Sequence, residues 1–234
     1  MRKPAIPILN IEPLPFKIKI ASPEELAQAI GLRARAYGRH VPELGEKMLA
    51  PDPLDVDSNC SIFVAVSKLD GSVLGTMRSH LNASAPLPLE ASVSLPEQFQ
   101  GKRLAEATRL SIDRLPDSIT VRSALFKAFF LHAMEQGVKF MVVSARSPVD
   151  RIYAGLQFQD VFEPGVFHPM SHVAGLPHRV MSLDIGVGQE GLRGNPLYEH
   201  VFLTLHPDID ITEARDIKWP AGRSNHKPCH CEHE

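Results

Sequence analysis

Cysteine, aromatic residues, net charge and long apolar runs are all scarce in this sequence. Three cysteines in 234 residues are too few for a disulfide framework, so the fold rests on burial alone. A chain of this length buries roughly 70% of its unfolded surface and needs no covalent staple. Twenty-five Lys and Arg stand against 27 Asp and Glu, a net charge of −2 that excludes a strongly basic nucleic-acid binder. No apolar run approaches the roughly 18 residues of a membrane helix, so no integral membrane segment is expected. The start, MRKPAIPILNIEPLPF, is basic and then apolar, but Pro4, Pro7, Glu12 and Pro13 spoil it as a secretion signal. A reduced, cytoplasmic protein is the expectation. Glycine-rich phosphate loops of the GxGxxG or GxxxxGK[ST] type are missing too. The tail HKPCHCEHE offers soft ligands, but Cys229 and Cys231 lie one residue apart, closer than zinc sites usually place them. No metal and no tightly bound cofactor are expected.

What is present is an alternation of strand and helix patterns. Residues 1–15 carry Pro4, Pro7, Pro13 and Pro15 and read as an extended arm. Phe16–Ala21 alternates apolar and charged residues, the mark of a half-buried strand. Ser22-Pro23-Glu24-Glu25 then opens a helix that runs to about Tyr37. Ser22 caps it, Pro23 suits the first helical position, and Glu25 closes a capping box. Residues 38–60 show little periodicity and read as a long loop with one helical turn at most; such a loop is usually functional or disordered. Ser61–Lys68 and Ser72–His80 make a hairpin around Asp70-Gly71. There follow a strand at Leu104–Ile112, a helix at Val121–Gln136, a buried strand at Val138–Ala145, a short helix at Ser147–Leu156, and late strands at Gln157–Phe162 and Arg179–Ile185. This order is α/β, with a mostly antiparallel first half and one right-handed parallel crossover from 104 to 145. Residues 16–211 are expected to form one domain, and 212–234 a polar tail rich in His and Cys.

The strand Leu104–Ile112 holds the most informative pair. In a regular strand Leu104, Leu110 and Ile112 share a face, and Glu106 lies among them. A carboxylate on an apolar face must be paired or put to chemical use. Arg109 points to the other face of a flat strand and meets Glu106 only across a bulge, a feature concentrated near active sites. A structural ion pair, or an outward-pointing Glu106, explains the same residues. Arg78 stands in the return strand of the hairpin. Arg33 and Tyr37 lie four apart on one helix face. Asp52, Asp55 and Asp57 crowd the long loop without the spacing or the glycine of a calcium loop. Each of these also has a plain surface reading.

Taken in order, the pieces resemble a known family. Arg33-x-x-x-Tyr37, then Asp52-x-x-Asp55 with Asp57, then SIFVAVSKLDGSVLGTMR ending in Arg78, then LAEATRLSI with Glu106-x-x-Arg109 look like two related groups. These are the acyl-homoserine-lactone autoinducer synthases and the N-acyl amino acid synthases of the FeeM type, both in the GNAT-like acyltransferase superfamily. RSALFKAFFLHAMEQGVKFMVVSA followed by DRIYAGLQFQ is similar to the helix, strand and second helix of that fold. The similarity covers about residues 16–165. It implies a GNAT-like acyltransferase fold, a mixed central sheet with flanking helices.

Two departures shape what the resemblance implies. CoA-using relatives carry (R/Q)xxGx(G/A) before the long helix, where backbone amides hold the pyrophosphate. Here Asp113–Thr120 contains no glycine. The implied donor is a phosphopantetheine-linked acyl thioester on an acyl carrier protein, a co-substrate rather than a cofactor. The homoserine-lactone synthases carry a tryptophan soon after the Arg/aromatic pair, whereas the only one here is Trp219. The implied acceptor is therefore an amino acid. On this reading Glu106 takes the amine's proton, and backbone amides near Leu110–Ile112 hold the oxyanion. Arg33, Arg78 and Arg109 grip the substrate carboxylate, with Tyr37, Asp52, Asp55 and Asp57 around them. The same arginines and acids equally make a structural cluster, and which two aspartates belong to it stays open. Lys102, Arg103, Arg114, Arg122 and Lys127 are expected to flank the thioester slot and dock an acidic carrier protein. A homoserine-lactone synthase and a non-catalytic acyl-binding module are the competing readings.

Overall fold

The computed structural model describes residues 10–50, 52–114, 116–187, 193 and 198–212. The His/Cys-rich tail, with Cys229 and Cys231, lies outside the described residues. The described part of the arm enters as a short strand, β1 (Asn10–Ile11), paired in parallel with residues 204–205. The alternating FKIKI segment forms β2 (Phe16–Ile20), with Phe16 and Ile18 buried. Helix α1 (Pro23–Gly38) starts at the expected capping box: the Ser22 N–H donates to Glu25 Oε2 at 2.8 Å, and the Glu25 N–H to Ser22 Oγ at 3.3 Å.

The stretch after α1 is more structured than its sequence suggests. It folds into α2 (Pro42–Lys47) and a 3-10 turn at Pro53–Asp55. Six residues are too few to display a helical period, which is why this element escapes sequence reading. Two glycines let α2 fold back on α1. A Cβ on Gly45 would stand 2.5 Å from Gly38 Cα, inside any tolerable contact. This close approach brings the residues after α2, among them Met48 and Asp52, over the sheet.

The hairpin forms β3 (Cys60–Ser67) and β4 (Val73–Leu81), followed by β5 (Leu104–Ile112), helix α3 (Ser118–Glu135) and β6 (Phe140–Ala145). Then come α4 (Val149–Gly155), β7 (Gln159–Asp160), β8 (His168–Met170), β9 (Leu176–Asp184) and β10 (Thr204–Leu205). The expected strand at 157–162 is thus shorter, because Phe158 turns into the core. The main sheet has the order β2-β3-β4-β5-β6-β9-β7, with β8 paired to β9. β5 and β6 run parallel, and the other neighbours in that sheet are antiparallel.

Two irregularities in β5 prepare the site. Its parallel pairing with β6 covers only Leu104–Ala107, so the strands part beyond Ala107. Its pairing with β4 shifts between Arg78↔Thr108 and Thr76↔Ser111, which leaves Arg109 and Leu110 opposite the single residue Met77. This is a bulge, and Arg109 adopts φ 57° within it. The extra residue reverses the strand's inside and outside. Leu104 packs with Leu87, Leu89 and Phe99 on one sheet face, while Leu110 and Ile112 pack toward α3 on the other. The expected shared face of Leu104, Leu110 and Ile112 is corrected accordingly.

Helix α3 is buried nearly all round, from Val121 through Phe126, Phe129 and Phe130 to Ala133. That corrects the expectation for Lys127, which has no solvent face from which to dock a partner. Its Nζ donates to the carbonyl oxygens of His200 at 2.8 Å and Thr204 at 2.6 Å, and lies 2.8 Å from His206 Nδ1. Burial lowers its pKa to about 8. Lys127 therefore fastens the C-terminal segment to the core.

Candidate active site

The three arginines predicted for the site meet two of the three aspartates. Arg33 on α1 donates through Nη1 to Asp55 Oδ1 at 2.7 Å. Arg78 on β4 donates through Nη1 to the same oxygen at 2.9 Å and to Asp52 Oδ2 at 2.8 Å, and its Nε reaches Thr108 Oγ1 at 3.1 Å. Arg109 approaches Asp52 Oδ2 at 3.4 Å. Arg33 and Arg78 are only 3% and 1% exposed. Burial alone would push the Asp52 carboxyl up. The charge and hydrogen bond of Arg78, with the Leu54 N–H and the charge of Arg109, instead hold it below the usual carboxylate range. Asp57 takes no part; its Oδ1 accepts from the Asn59 N–H at 2.7 Å in a local turn. The pair left open by the sequence is therefore Asp52 and Asp55.

Three guanidiniums against two carboxylates leave this cluster positive. Arg33 also keeps two buried nitrogens, Nε and Nη2, without a partner. A cleft of about 360 Å³ opens at the cluster, lined by Arg33, Lys47, Met48, Asp52, Asp55, Arg109 and His172. A second cleft of about 380 Å³ lies where β5 and β6 part. Its walls include Thr108–Ile112 of β5, Ser144–Val149 from β6 to α4, Tyr37 of α1, and the apolar side chains of Leu44, Ile152 and Val173. The two clefts share Leu44 and Arg109, so the strained bulge residue stands at their junction. The second cleft lies where the sequence reading expects a slot, between β5 and β6, and Tyr37 is one of its walls.

Glu106 stays on the face of Leu104, as the strand pattern suggests, but away from both clefts. Its side chain is sealed at 0% exposure and lines neither cleft. Oε2 accepts from the Leu89 N–H at 2.9 Å, and Oε1 has no partner. Burial raises its pKa to about 8 against the pull of the Leu89 N–H and Arg78, so the group is protonated at neutral pH. Across the strand sits His80, which burial and Arg78 hold down to about 3. Arg109 does not pair with Glu106; it turns to Asp52, to Met48 Sδ at 3.8 Å and to the His172 carbonyl at 3.5 Å.

Of the expected docking residues, Arg122 lines the slot and Arg114 is exposed just past the split end of β5. Lys102 and Arg103 precede Leu104 at the strand's other end, away from the split, which corrects their expected place beside the slot. Arg39 and Arg146 line the slot instead. Sequence reasoning also missed His172 and Ser144. The His172 Nε2 lies 3.4 Å from Ser144 Oγ, joining the wall of one cleft to the wall of the other. Nothing in their spacing signals this, because only the β6–β9 pairing and the turn before β9 bring them together.

Comparison with known proteins follows the same lines. The sequence profile of one family, described as N-acyl amino acid synthase FeeM, matches residues 28–184. No curated protein matches the sequence significantly. Among solved structures, an N-acyl amino acid synthase, FeeM, from uncultured soil microbes superposes with a TM-score of 0.56 at 19% identity, covering 75% of this chain and 93% of its own. A CoA-dependent acyl-homoserine lactone synthase, BjaI, solved with SAM and isopentyl-CoA, gives 0.53 at 15% identity over 83% of this chain and 93% of its own. A putative GNAT acetyltransferase from Desulfovibrio desulfuricans gives 0.52 at 11% identity over 73% and 99%. These likenesses show the GNAT acyltransferase fold expected from the sequence. The profile spans more than half of the chain, and the chain accordingly belongs to the FeeM family of N-acyl amino acid synthases.

Proposed function

We propose that the protein moves a fatty acyl group from a carrier-protein thioester to the amino group of an amino acid. One observation carries this reading: the buried Arg33 guanidinium, with two unpaired nitrogens, walls a cleft that joins the split in the sheet. Buried guanidinium nitrogens without acceptors are costly, and a carboxylate is the group whose shape and charge satisfy them. An amino acid held there by its carboxylate presents its amine toward Arg109 and the bulge. The slot on the far side of Arg109 takes pantetheine and the acyl chain along Leu44, Val149, Ile152 and Val173. Beyond Ala107 the β6-facing side of β5 lacks a strand partner, so backbone amides near Leu110–Ile112 are the candidates to hold the oxyanion.

The donor is inferred from what surrounds the start of α3. A coenzyme A pyrophosphate needs free amides at a helix N-terminus. Here Asp113 and Asp117 put carboxylates on either side of that turn, with Asp117 at the cap position. BjaI has the same fold and is a CoA-dependent synthase, so the inference about the donor rests on this segment rather than on the fold. A basic rim of Arg39, Arg122 and Arg146 suits an acidic carrier protein.

The test is direct. Purified protein is mixed with acyl-carrier or acyl-CoA thioesters and with each amino acid or S-adenosylmethionine, and products are read by mass spectrometry. N-acyl amino acids made from the carrier thioester are expected. Acyl-homoserine lactone, or equal use of the CoA thioester, would overturn the reading. Two variants sharpen it. Arg33→Lys keeps the charge but loses the fork, so the acceptor KM is expected to rise about 10–100-fold with the donor KM unchanged. Reversing Arg122 and Arg146 to Glu together is expected to raise the KM for the carrier thioester by about tenfold or more while leaving a short acyl-pantetheine unaffected. Equal effects on both donors would reject the docking face.

A further inference from the structure

We infer that His172 accepts the proton of the attacking amine and that Ser144 passes a proton on to the leaving sulfur, the two side chains forming the acid–base relay of acyl transfer. This rests on the acyltransferase reading above. The argument begins with position. His172 sits in the 3-10 turn Ser171–Val173, just before β9, and lines the acceptor cleft. Ser144 sits near the end of β6 and lines the thioester slot. Between them runs the 3.4 Å contact from Nε2 to Oγ. That is long for a hydrogen bond, as catalytic contacts often are before substrate tightens them. The other ring nitrogen, Nδ1, is buried without a partner. Arg109, which bounds both clefts, holds the His172 carbonyl at 3.5 Å and so ties the turn to the bulge.

The other bases near the clefts are engaged, sealed or, in the case of His40, exposed on the wall of the slot and absent from the acceptor cleft. Asp52 and Asp55 are locked to arginines. Glu106 lines neither cleft. The Nδ1 of His178 lies 2.8 Å from the Leu176 carbonyl. Among the described residues, His172 is the titratable group that faces the acceptor cleft and touches a hydroxyl of the slot.

Its charge environment suits the role. Burial holds His172 down to about 4, with Arg109 on β5, His178 on β9 and Arg78 on β4 adding to the push and Asp52 opposing it. The free imidazole is therefore neutral at pH 7. A substrate carboxylate among the arginines cancels part of that positive field and raises the imidazole's proton affinity. The base thus strengthens when the acceptor is in place.

The step balances without a redox partner. The neutral amine attacks the thioester carbonyl, a C–N bond forms, and the carbonyl electron pair moves onto oxygen. The N–H proton goes to His172. The oxyanion collapses, the C–S bond breaks with its pair on sulfur, and the imidazolium returns the proton through the Ser144 hydroxyl to the thiolate.

The experiment compares wild type, His172→Gln, Ser144→Ala and Glu106→Gln, using an acyl-carrier thioester and a panel of amino acids and other primary amines. His172→Gln is expected to lose about 100–1,000-fold in kcat/KM, with the acceptor KM within a few-fold and the acid limb of the kcat profile abolished. Ser144→Ala is expected to lose about tenfold and keep that limb. A merely structural histidine would not remove the limb. His172→Gln with a wild-type rate and pH profile overturns the relay. Transfer to a non-amino-acid amine by wild type overturns the substrate reading, and the same variants then judge the relay on that amine. A wild type inert to every amine overturns both. Should His172→Gln melt early, His172→Asn replaces it under the same criteria.

Discussion

Replacing Asp55 by alanine is expected to cost about 3–5 kcal/mol of stability, the penalty for breaking a buried ion pair from one side. Asp55 Oδ1 alone receives Arg33 at 2.7 Å and Arg78 at 2.9 Å. Its side chain is 5% exposed, so no water takes its place readily. Removal takes a partner from two buried guanidiniums at once. Arg78 retains Asp52 and Thr108, but Arg33 retains neither, and its remaining nitrogens already lack partners. At roughly 2–4 °C per kcal/mol for a domain of this size, Tm falls on the order of 10 °C, readable by calorimetry. Asp52→Ala is expected to cost less, because its side chain is 25% exposed and solvent replaces part of what is lost. The order of the two effects matters as much as their size. If Asp52→Ala proved the more damaging, the cluster would be anchored at its solvent edge. Arg33 would then be free to rearrange, which would weaken the case for a preformed carboxylate site.

The same cluster shows what sequence can and cannot reveal. Arg33, Arg78, Arg109, Asp52 and Asp55 were all legible, because charged residues stand out in half-buried elements and because the order of motifs matched a family. Their partners were not. Three aspartates within six residues look alike until the 3-10 turn at Pro53–Asp55 points one inward and leaves Asp57 to cap the next turn. Strand β5 was read at its true bounds, Leu104–Ile112, yet two of its apolar residues were assigned the wrong face. Period-two logic fails across a bulge, since one inserted residue inverts everything after it. Lys127 was misread for a related reason. A helix that is apolar all round has no outward stripe, so a lysine within it is drawn into the core and must find carbonyls there. His172 and Ser144 lie 28 residues apart and were invisible, because no local pattern encodes a contact made by sheet topology.

Glu106→Gln is expected to abolish a loss of stability that the wild type suffers as pH rises from about 4.5 to 8. The sign follows from the direction of the shift. The folded carboxyl holds its proton up to about 8, whereas the unfolded one releases it near the usual glutamate value. Between those values the native state binds a proton that the unfolded state lacks, so stability falls with increasing pH. Over the whole window the loss is on the order of 5 kcal/mol, at about 1.4 kcal/mol per pH unit. Glutamine carries no such proton. Its carbonyl keeps the 2.9 Å bond from the Leu89 N–H, and its amide takes the place of the acid's O–H. Wild type and Glu106→Gln should therefore unfold in urea at similar concentrations near pH 4.5 and separate steadily above it, with the variant more stable by several kcal/mol at pH 8.5. Glu106→Leu should instead lose stability at every pH, by about 1–3 kcal/mol, because the buried Leu89 N–H is left unpaired. Parallel curves for wild type and Glu106→Gln would mean that the carboxyl ionises as it does in water. A carboxylate charged at neutral pH in that position, beside Arg78, would have the charge of a base but not its reach, since Glu106 is sealed and lines neither cleft.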